Sequence, residues 1–112
     1  MNSNPKVSIL LPVYNFKDLA PTINSLLCQT YDDFELLICD DGSTPPLSIP
    51  SFNDSRIKSF RNKKNLGLGK NLNRLLSLTS KSTKYFTTSE QDDIYKPYFL
   101  EACINFLEKN TD

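Results

Sequence analysis

Two short apolar segments, VSILLPV at residues 7–13 and FELLICD at residues 34–40, constrain the fold of this 112-residue chain more than any other feature. Each is rich in β-branched and aliphatic residues and leads directly into a polar turn, which is typical of a strand buried on both faces. Between them, leucine and isoleucine recur at helical spacing from Leu19 to Leu27, and Asp18 is the expected N-cap. A buried strand, a helix and a second buried strand predict a parallel sheet.

The remaining sequence continues this alternation. A loop rich in proline and serine covers residues 45–53 and precedes a third strand, RIKSFRN. A glycine-containing loop then leads into the helix NLGLGKNLNRLLSLTS, which is followed by a fourth strand, KYFTTS, and by a final helix, KPYFLEACINFLEKN. The predicted order is β-α-β-(loop)-β-α-β-α. This order indicates an α/β domain with a mostly parallel sheet and helices on both faces, treated as one unit over residues 1–112.

Composition excludes several classes of function. Histidine is absent, which removes the commonest general base and the commonest zinc ligand, so acid–base or metal chemistry must rest on carboxylates. Thirteen basic and thirteen acidic residues cancel, so no broad positive field is available to hold nucleic acid. The cysteines, Cys28, Cys39 and Cys103, are odd in number and widely spaced, which favours buried reduced thiols in a cytoplasmic protein. The apolar run near the N-terminus is too short for a signal peptide or a membrane span.

Polar segments follow each of the four predicted strands. They are PVYN at 12–15, DDGS at 40–43, NLGLGK at 65–70 and EQDD at 90–93. The ligand of an open parallel α/β sheet binds at the carboxyl ends of its strands, so these segments should converge on one edge. This convergence is the main physical argument for a binding site, because each segment alone is weak evidence.

The first three segments suit a nucleotide, although each has a plain structural alternative. Tyr14 offers a flat aromatic face for a base, or it packs on its own loop. Asp40 and Asp41 can accept hydrogen bonds from a base and a ribose, but Asp-Gly-Ser is also ordinary turn chemistry. The glycines near Lys70 allow close approach of a phosphate, yet the loop lacks the established phosphate-binding patterns and is also consistent with a solvated basic loop.

The fourth segment is a candidate metal site. Glu90 and Asp92 are two residues apart, so in an extended stretch their carboxylates point to the same side. Hard oxygen donors suit Mg²⁺ or Mn²⁺, and Asp93 would orient these ligands or contact sugar hydroxyls. The alternative is a solvated acidic turn before a helix N-terminus, where the helix dipole favours acids.

Taken together, VSILLPVYN, LLCQTYDDFELLICDDGST, NLGLGKNLNRLL and EQDDIYKPYFLE resemble the N-terminal half of a family 2 glycosyltransferase, from about Lys6 to Lys109. The resemblance implies a Rossmann-like GT-A fold and a hexosyltransferase that uses a nucleotide-diphosphate sugar, with inversion at the anomeric carbon. It also implies a divalent cation, Mn²⁺ or Mg²⁺. The expected acceptor is a carbohydrate or a lipid-linked sugar in cell-surface polysaccharide or glycoconjugate synthesis, at the inner face of the membrane or free in the cytoplasm.

The resemblance also implies roles for individual residues. Tyr14 and Pro12 would pack on the base, and one of Asp40 and Asp41 would bind base and ribose. Lys70 would help to hold the diphosphate. Glu90-Gln91-Asp92 occupies the place of the D-x-D motif, with Asp92 as the first metal ligand and glutamate where the family usually has aspartate. Asp93 would contact the sugar or support the metal ligands.

No catalytic base is expected within the chain. In the family this base is a carboxylate well downstream of the D-x-D position, in the acceptor-binding half. The expectation is therefore an incomplete domain that binds donor but transfers no sugar, and whose uncovered apolar surface invites self-association. Two alternatives remain at this point. A nucleotidyltransferase should carry glycines after its first strand, which PVYNFKDLAP lacks, and a non-catalytic α/β interaction module predicts no metal-dependent nucleotide binding.

Overall fold

The computed structural model describes residues 4–110, so residues 1–3 and 111–112 of the predicted unit lie outside the described part. Within that range the predicted order of elements is confirmed. The elements are β1 (Val7–Val13), α1 (Ala20–Leu27), β2 (Phe34–Asp40), β3 (Ile57–Arg61), α2 (Leu68–Ser77), β4 (Tyr85–Thr88) and α3 (Phe99–Lys109).

The four strands form one parallel sheet in the order β3-β2-β1-β4. The first strand is therefore central, and Val7 pairs with Phe34 on one side and with Tyr85 on the other. Because every strand runs in the same direction, the segments that follow them emerge at a single edge of the sheet.

Helices cover both faces of the sheet, as predicted. Alternate residues of a strand point to opposite faces, so Ile9 and Leu11 pack with α1 and α3, whereas Leu10 packs with α2. The larger apolar cluster includes Ile23 and Leu26 of α1 with Leu100 and Ile104 of α3. The smaller cluster joins Leu10, Leu37 and Cys39 to Leu75 of α2. Cys39 is buried, as predicted, whereas Cys28 and Cys103 are exposed, so the prediction of buried thiols is wrong for these two.

The first helix begins slightly later than the capping pattern suggests. Its N-cap residue is Leu19, which makes no side-chain capping bond, and not the predicted Asp18. The carboxylate of Asp18 nevertheless accepts the N–H of Ala20 at 3.1 Å, so it still satisfies a donor at the helix start. None of the helices formed by residues 4–110 is long and apolar enough to cross a membrane.

A buried carboxylate, that of Glu35, stabilises the end of the sheet where the strands begin, on the far side from the cleft end. Glu35 is only 2% exposed, and it accepts hydrogen bonds from Ser8 Oγ (2.6 Å), from Ser80 N (2.8 Å) and Oγ (2.7 Å) and from Lys58 Nζ (2.9 Å). Burial raises the pKa of this group, but the hydrogen bonds outweigh burial and lower the pKa from 4.5 to about 2. The charged group thus ties together β1, β2, β3 and the segment after α2.

Candidate functional site

A cleft of ≈ 330 Å³ lies at the edge of the sheet where the strands end. It is built from the end of β1, the residue after β2, the start of α2 and the segment after β4. The residues that line it are Pro12, Val13, Tyr14, Asp41, Asn65, Leu68, Asn71, Ser89, Glu90, Gln91 and Asp92. Residues from all four polar segments that were predicted to converge therefore meet here.

Proline in the central strand explains why the sheet opens at this point. The N–H of Ser89 donates to the carbonyl of Leu10 (2.8 Å), which extends the β1–β4 pairing just beyond β4. On this side of β1 the next residue in line is Pro12, which has no N–H with which to continue the ladder. The chain after Ser89 is consequently free to turn away, and it delivers Glu90 and its neighbours to the rim of the cleft.

Tyr14 stands at the mouth of the cleft with 43% of its surface exposed. Its backbone is fixed, because its N–H donates to Gln91 Oε1 at 2.9 Å. The next residue, Asn15, donates its N–H to Ser43 Oγ at 2.8 Å. The aromatic ring is therefore presented by a fixed backbone, as a stacking platform requires.

Asp41 is buried and organises the loop that precedes α2. Its Oδ1 accepts the N–H of Leu66 (2.9 Å) and its Oδ2 accepts the N–H of Gly67 (2.9 Å). The adjacent Gly42 has a φ of +74°, and a Cβ there would lie 2.4 Å from the carbonyl carbon of Lys64. Only glycine permits this close approach of the two loops. Asp41 thus lines the cleft, and its carboxylate holds the loop that precedes α2.

Asp40, although adjacent in sequence to Asp41, forms its hydrogen bonds with a different part of the structure. Its Oδ1 accepts the N–H of Ser43 (3.0 Å), and its Oδ2 accepts the N–H of Leu47 (3.0 Å) and Arg61 Nη1 (2.7 Å). Burial raises the pKa of this carboxyl, but the hydrogen bonds from Ser43 and Leu47 and the charge of Arg61 together lower it below 3.8. Asp40 is not among the residues that line the cleft. The two acids are thereby distinguished: Asp41 faces the cleft, and Asp40 secures the loop after β2.

Buried amides hold α2 against the end of β2. Asn62 Nδ2 donates to Asp41 Oδ1 (2.8 Å) and to Asn71 Oδ1 (3.0 Å), and Asn71 Nδ2 donates to the carbonyl of Cys39 (3.1 Å). Asn71 and Leu75 are the buried residues of α2, so Lys70 lies on a different side of this helix. Lys70 is exposed and does not line the cleft, and its contact with a phosphate stays a prediction.

The acidic residues form a compact group at the rim. Glu90, Asp92 and Asp93 are exposed, and each can offer a carboxylate oxygen within 4.8 Å of the others. The loop that carries them is anchored on α1, since Thr22 Oγ1 donates to the carbonyl of Gln91 (3.1 Å) and the N–H of Tyr95 donates to Ser25 Oγ (3.1 Å). Clustered carboxylate oxygens on a fixed loop fit a hard divalent cation.

The buried hydroxyl of Ser89 lies next to this group. Among the side chains of residues 4–110, Ser89 Oγ is the only buried nitrogen or oxygen atom without a hydrogen-bond partner. An unpaired buried hydroxyl is unfavourable, so this position at the cleft is not optimised for stability.

The cleft contains most of the residues singled out from the sequence. Pro12, Tyr14, Asp41, Glu90 and Asp92 line it, and Asp93 belongs to the same acidic group. Several other lining residues have no role that was predicted from the sequence; they are Val13, Asn65, Leu68, Asn71, Ser89 and Gln91. The abundance of asparagine around α2 was the one available signal for part of this set.

Comparison with known proteins agrees with this arrangement. The sequence pattern of the family described as "Glycosyl transferase family 2" matches residues 8–112. An uncharacterized glycosyltransferase of Haemophilus influenzae is 38% identical over 115 residues, covering 98% of this chain and 35% of that protein. A protein of Escherichia coli, UDP-Glc:alpha-D-GlcNAc-diphosphoundecaprenol beta-1,3-glucosyltransferase WfgD, is 36% identical over 107 residues, covering 93% of this chain and 42% of that protein.

Solved structures share the fold. Residues 1–349 of S. aureus TarS, crystallised in complex with UDP, superpose with a TM-score of 0.78 at 24% identity, over 93% of this chain and 32% of that one. This likeness confirms the predicted GT-A fold. The chain spans less than half the length of these relatives.

Proposed function

This chain belongs to glycosyltransferase family 2, and from that membership we propose that its cleft binds the nucleotide diphosphate of a sugar donor. The observation that carries the proposal is the meeting of an exposed aromatic ring, a buried carboxylate and an acidic group around one cleft. The protein to which this sequence belongs would transfer the sugar to an acceptor hydroxyl, with inversion at the anomeric carbon.

The base of the nucleotide is assigned to the end of the cleft near β1. Tyr14 would stack on the base, and Pro12 would complete that apolar wall. Asp41 would accept a hydrogen bond from the base or the ribose, since it lines the cleft and Asp40 does not. Each oxygen of the Asp41 carboxylate already accepts two hydrogen bonds, from Leu66 N and Asn62 Nδ2 at Oδ1 and from Gly67 N and Asn65 Nδ2 at Oδ2. A hydrogen bond to the base or the ribose would therefore replace one of these four, of which the Asn65 bond, at 3.3 Å, is the longest.

The diphosphate is assigned to the acidic rim. Glu90 and Asp92 would hold Mg²⁺ or Mn²⁺, and Asp93 would orient these groups or contact the sugar. Such a cation, when bound, neutralises the negative charge that develops on the leaving diphosphate. Lys70, on the first turn of α2, would add a positive charge on a long flexible side chain near the phosphates.

The donor is proposed to be a UDP-sugar. The E. coli relative, 36% identical, is named for a UDP-glucose donor and a diphosphoundecaprenol-linked acceptor. A carbohydrate or lipid-linked acceptor of a cell-surface polysaccharide, used at the cytoplasmic side of a membrane, is accordingly proposed for the whole protein. The general base would come from a carboxylate in the acceptor-binding part of the whole protein.

The test is calorimetric titration of the chain with UDP, GDP and dTDP, with and without Mn²⁺. We expect UDP to bind only with the metal, and Asp92→Asn and Tyr14→Ala each to weaken binding by about tenfold or more. Asp32→Asn, an exposed acid outside the cleft, is the matched control and should leave UDP affinity unchanged. A folded chain that binds none of the three nucleotides in the presence of Mn²⁺ would refute the donor-site proposal.

A further inference from the structure

One side chain directly links two of the segments that line the cleft. These are the segment that carries Tyr14 and the acidic loop that follows Ser89. Among residues 4–110, a single side-chain hydrogen bond joins these two segments. It runs from the N–H of Tyr14 to Gln91 Oε1, at 2.9 Å. Gln91 lies between Glu90 and Asp92 in sequence and itself lines the cleft.

The orientation of the Gln91 amide follows from hydrogen-bond chemistry. A backbone N–H can only donate, so the oxygen of the Gln91 side chain must face Tyr14. The backbone carbonyl of Gln91 is also held, because it accepts a hydrogen bond from Thr22 Oγ1 at 3.1 Å, and Thr22 is buried in α1. Gln91 is thus fixed at both its backbone and its side-chain end. A shift of the acidic loop must therefore either move the Tyr14 segment or break the bond.

We infer that Gln91 is a positioning residue that couples the cation-binding loop to the base-stacking segment, so that a divalent cation and the nucleotide base bind cooperatively. The inference rests on the proposed function of the cleft. Glu90 and Asp92, when they hold a cation, would fix the position of Gln91 between them, and Gln91 would in turn fix the backbone that presents the Tyr14 ring. Because binding linkage is reciprocal, occupation of the base end would tighten cation binding by the same factor.

Uridine is the probe that isolates this coupling. It carries the base and the ribose but no phosphate, so a cation cannot improve its binding by direct contact with a phosphate. The experiment first establishes that the wild-type chain binds UDP with Mg²⁺. It then measures uridine affinity by NMR titration with and without saturating Mg²⁺. One side-chain-to-backbone hydrogen bond corresponds to about fivefold, so we expect Mg²⁺ to tighten uridine binding by about that factor in the wild type.

Three substitutions at Gln91 separate coupling from packing. Gln91→Ala removes the side chain, whereas Gln91→Met keeps its length without an acceptor; both should reduce the effect of Mg²⁺ to less than about twofold. Gln91→Glu keeps a carboxylate oxygen for the N–H of Tyr14 and should restore the coupling. The backbone amide resonance of Tyr14 provides a local check, since it should shift on addition of Mg²⁺ in the wild type and not in Gln91→Met.

Gln29→Ala is the matched control. Gln29 is the other glutamine of the chain, and it is buried away from the cleft, where it bonds the carbonyl of Lys96 (2.7 Å) and the N–H of Leu100 (2.9 Å). Its removal should lower the melting temperature and leave the coupling intact, which shows that loss of stability alone does not abolish coupling.

The outcomes distinguish the two proposals. Failure of the wild-type chain to bind UDP with Mg²⁺ overturns the proposed function itself. If UDP binds with Mg²⁺ but uridine affinity is indifferent to the cation, or Gln91→Met retains the wild-type coupling, the positioning role of Gln91 is overturned while the donor site stands.

Discussion

Replacement of Glu35 by glutamine tests whether the buried charge of Glu35 stabilises the folded chain. Glu35 is buried, and its charge is stabilised by donors from Ser8 and Ser80 and by the ammonium of Lys58. At pH 7, Glu35→Gln replaces a charged acceptor with a neutral one and turns an N–H₂ group towards donors. We expect the free energy of unfolding to fall by about 2 kcal/mol.

The contribution of Glu35 to the free energy of unfolding can be estimated more closely from its dependence on pH. The pKa of Glu35 falls from 4.5 to about 2 in the folded state, which corresponds to about 3 kcal/mol at about 1.4 kcal/mol for each pH unit. Because the folded pKa is the lower one, this stabilisation is fully present above pH 4.5 and is lost as the pH falls towards 2. About 2 kcal/mol should be lost between pH 7 and pH 3.

The assay is urea unfolding followed by circular dichroism at intervals from pH 7 to pH 3. Asp40 and Asp54 also have lowered pKa values, so acid weakens the wild-type chain through them as well. The informative quantity is the difference in unfolding free energy between wild type and Glu35→Gln, which should shrink by about 2 kcal/mol over this range. Asp32→Asn, at an exposed position in the turn before β2, is the control. A difference that stays constant with pH would refute the assignment of a stabilised charge to Glu35.

Two further substitutions test contacts near the cleft. Gly42→Ala should destabilise the chain by more than about 2 kcal/mol, because the new Cβ would lie 2.4 Å from the carbonyl carbon of Lys64 on a backbone with φ of +74°; an unchanged melting temperature would contradict this. Ser89→Ala should raise the free energy of unfolding by about 1 kcal/mol, since it removes a buried hydroxyl without a partner; a clear loss of stability in urea unfolding would show that this hydroxyl is satisfied in solution.

The fold could be predicted from local pattern because its main determinants are local. The runs that form β1 and β2 are apolar on both faces, and α1 carries its apolar residues at helical spacing, so the βαβ unit is encoded within the first 40 residues. The start of α1 was predicted less accurately. The N-cap is Leu19, and Asp18, one residue earlier, accepts the N–H of Ala20. Helix ends depend on the backbone angles of one or two residues, which side-chain identity constrains only weakly.

The site was predictable in outline, and its details depend on long-range geometry. The rule that ligands bind where parallel strands end predicted that Tyr14, Asp41 and the acidic loop would meet. The sequence did not separate Asp40 from Asp41, because the choice depends on which way each side chain points as the strand ends. Whether Lys70 faces the cleft depends on the rotational phase of α2, which buries Asn71 and Leu75 and leaves Lys70 exposed. The bond between Gln91 and Tyr14 spans 77 positions, and no local pattern indicates it.

The central position of the first strand has a consequence for the order in which the chain folds. β1 meets β2 across only 27 positions, from Val7 to Phe34, whereas it meets β4 across 78, from Val7 to Tyr85. Closing a longer loop costs more chain entropy, so the β1-α1-β2 unit should assemble early and β4 should dock late. During synthesis on the ribosome, the nascent chain would therefore contain a partly formed sheet in which β1 is unpaired on the side that later binds β4. The cleft, which requires the segment after β4, would be among the last parts to form.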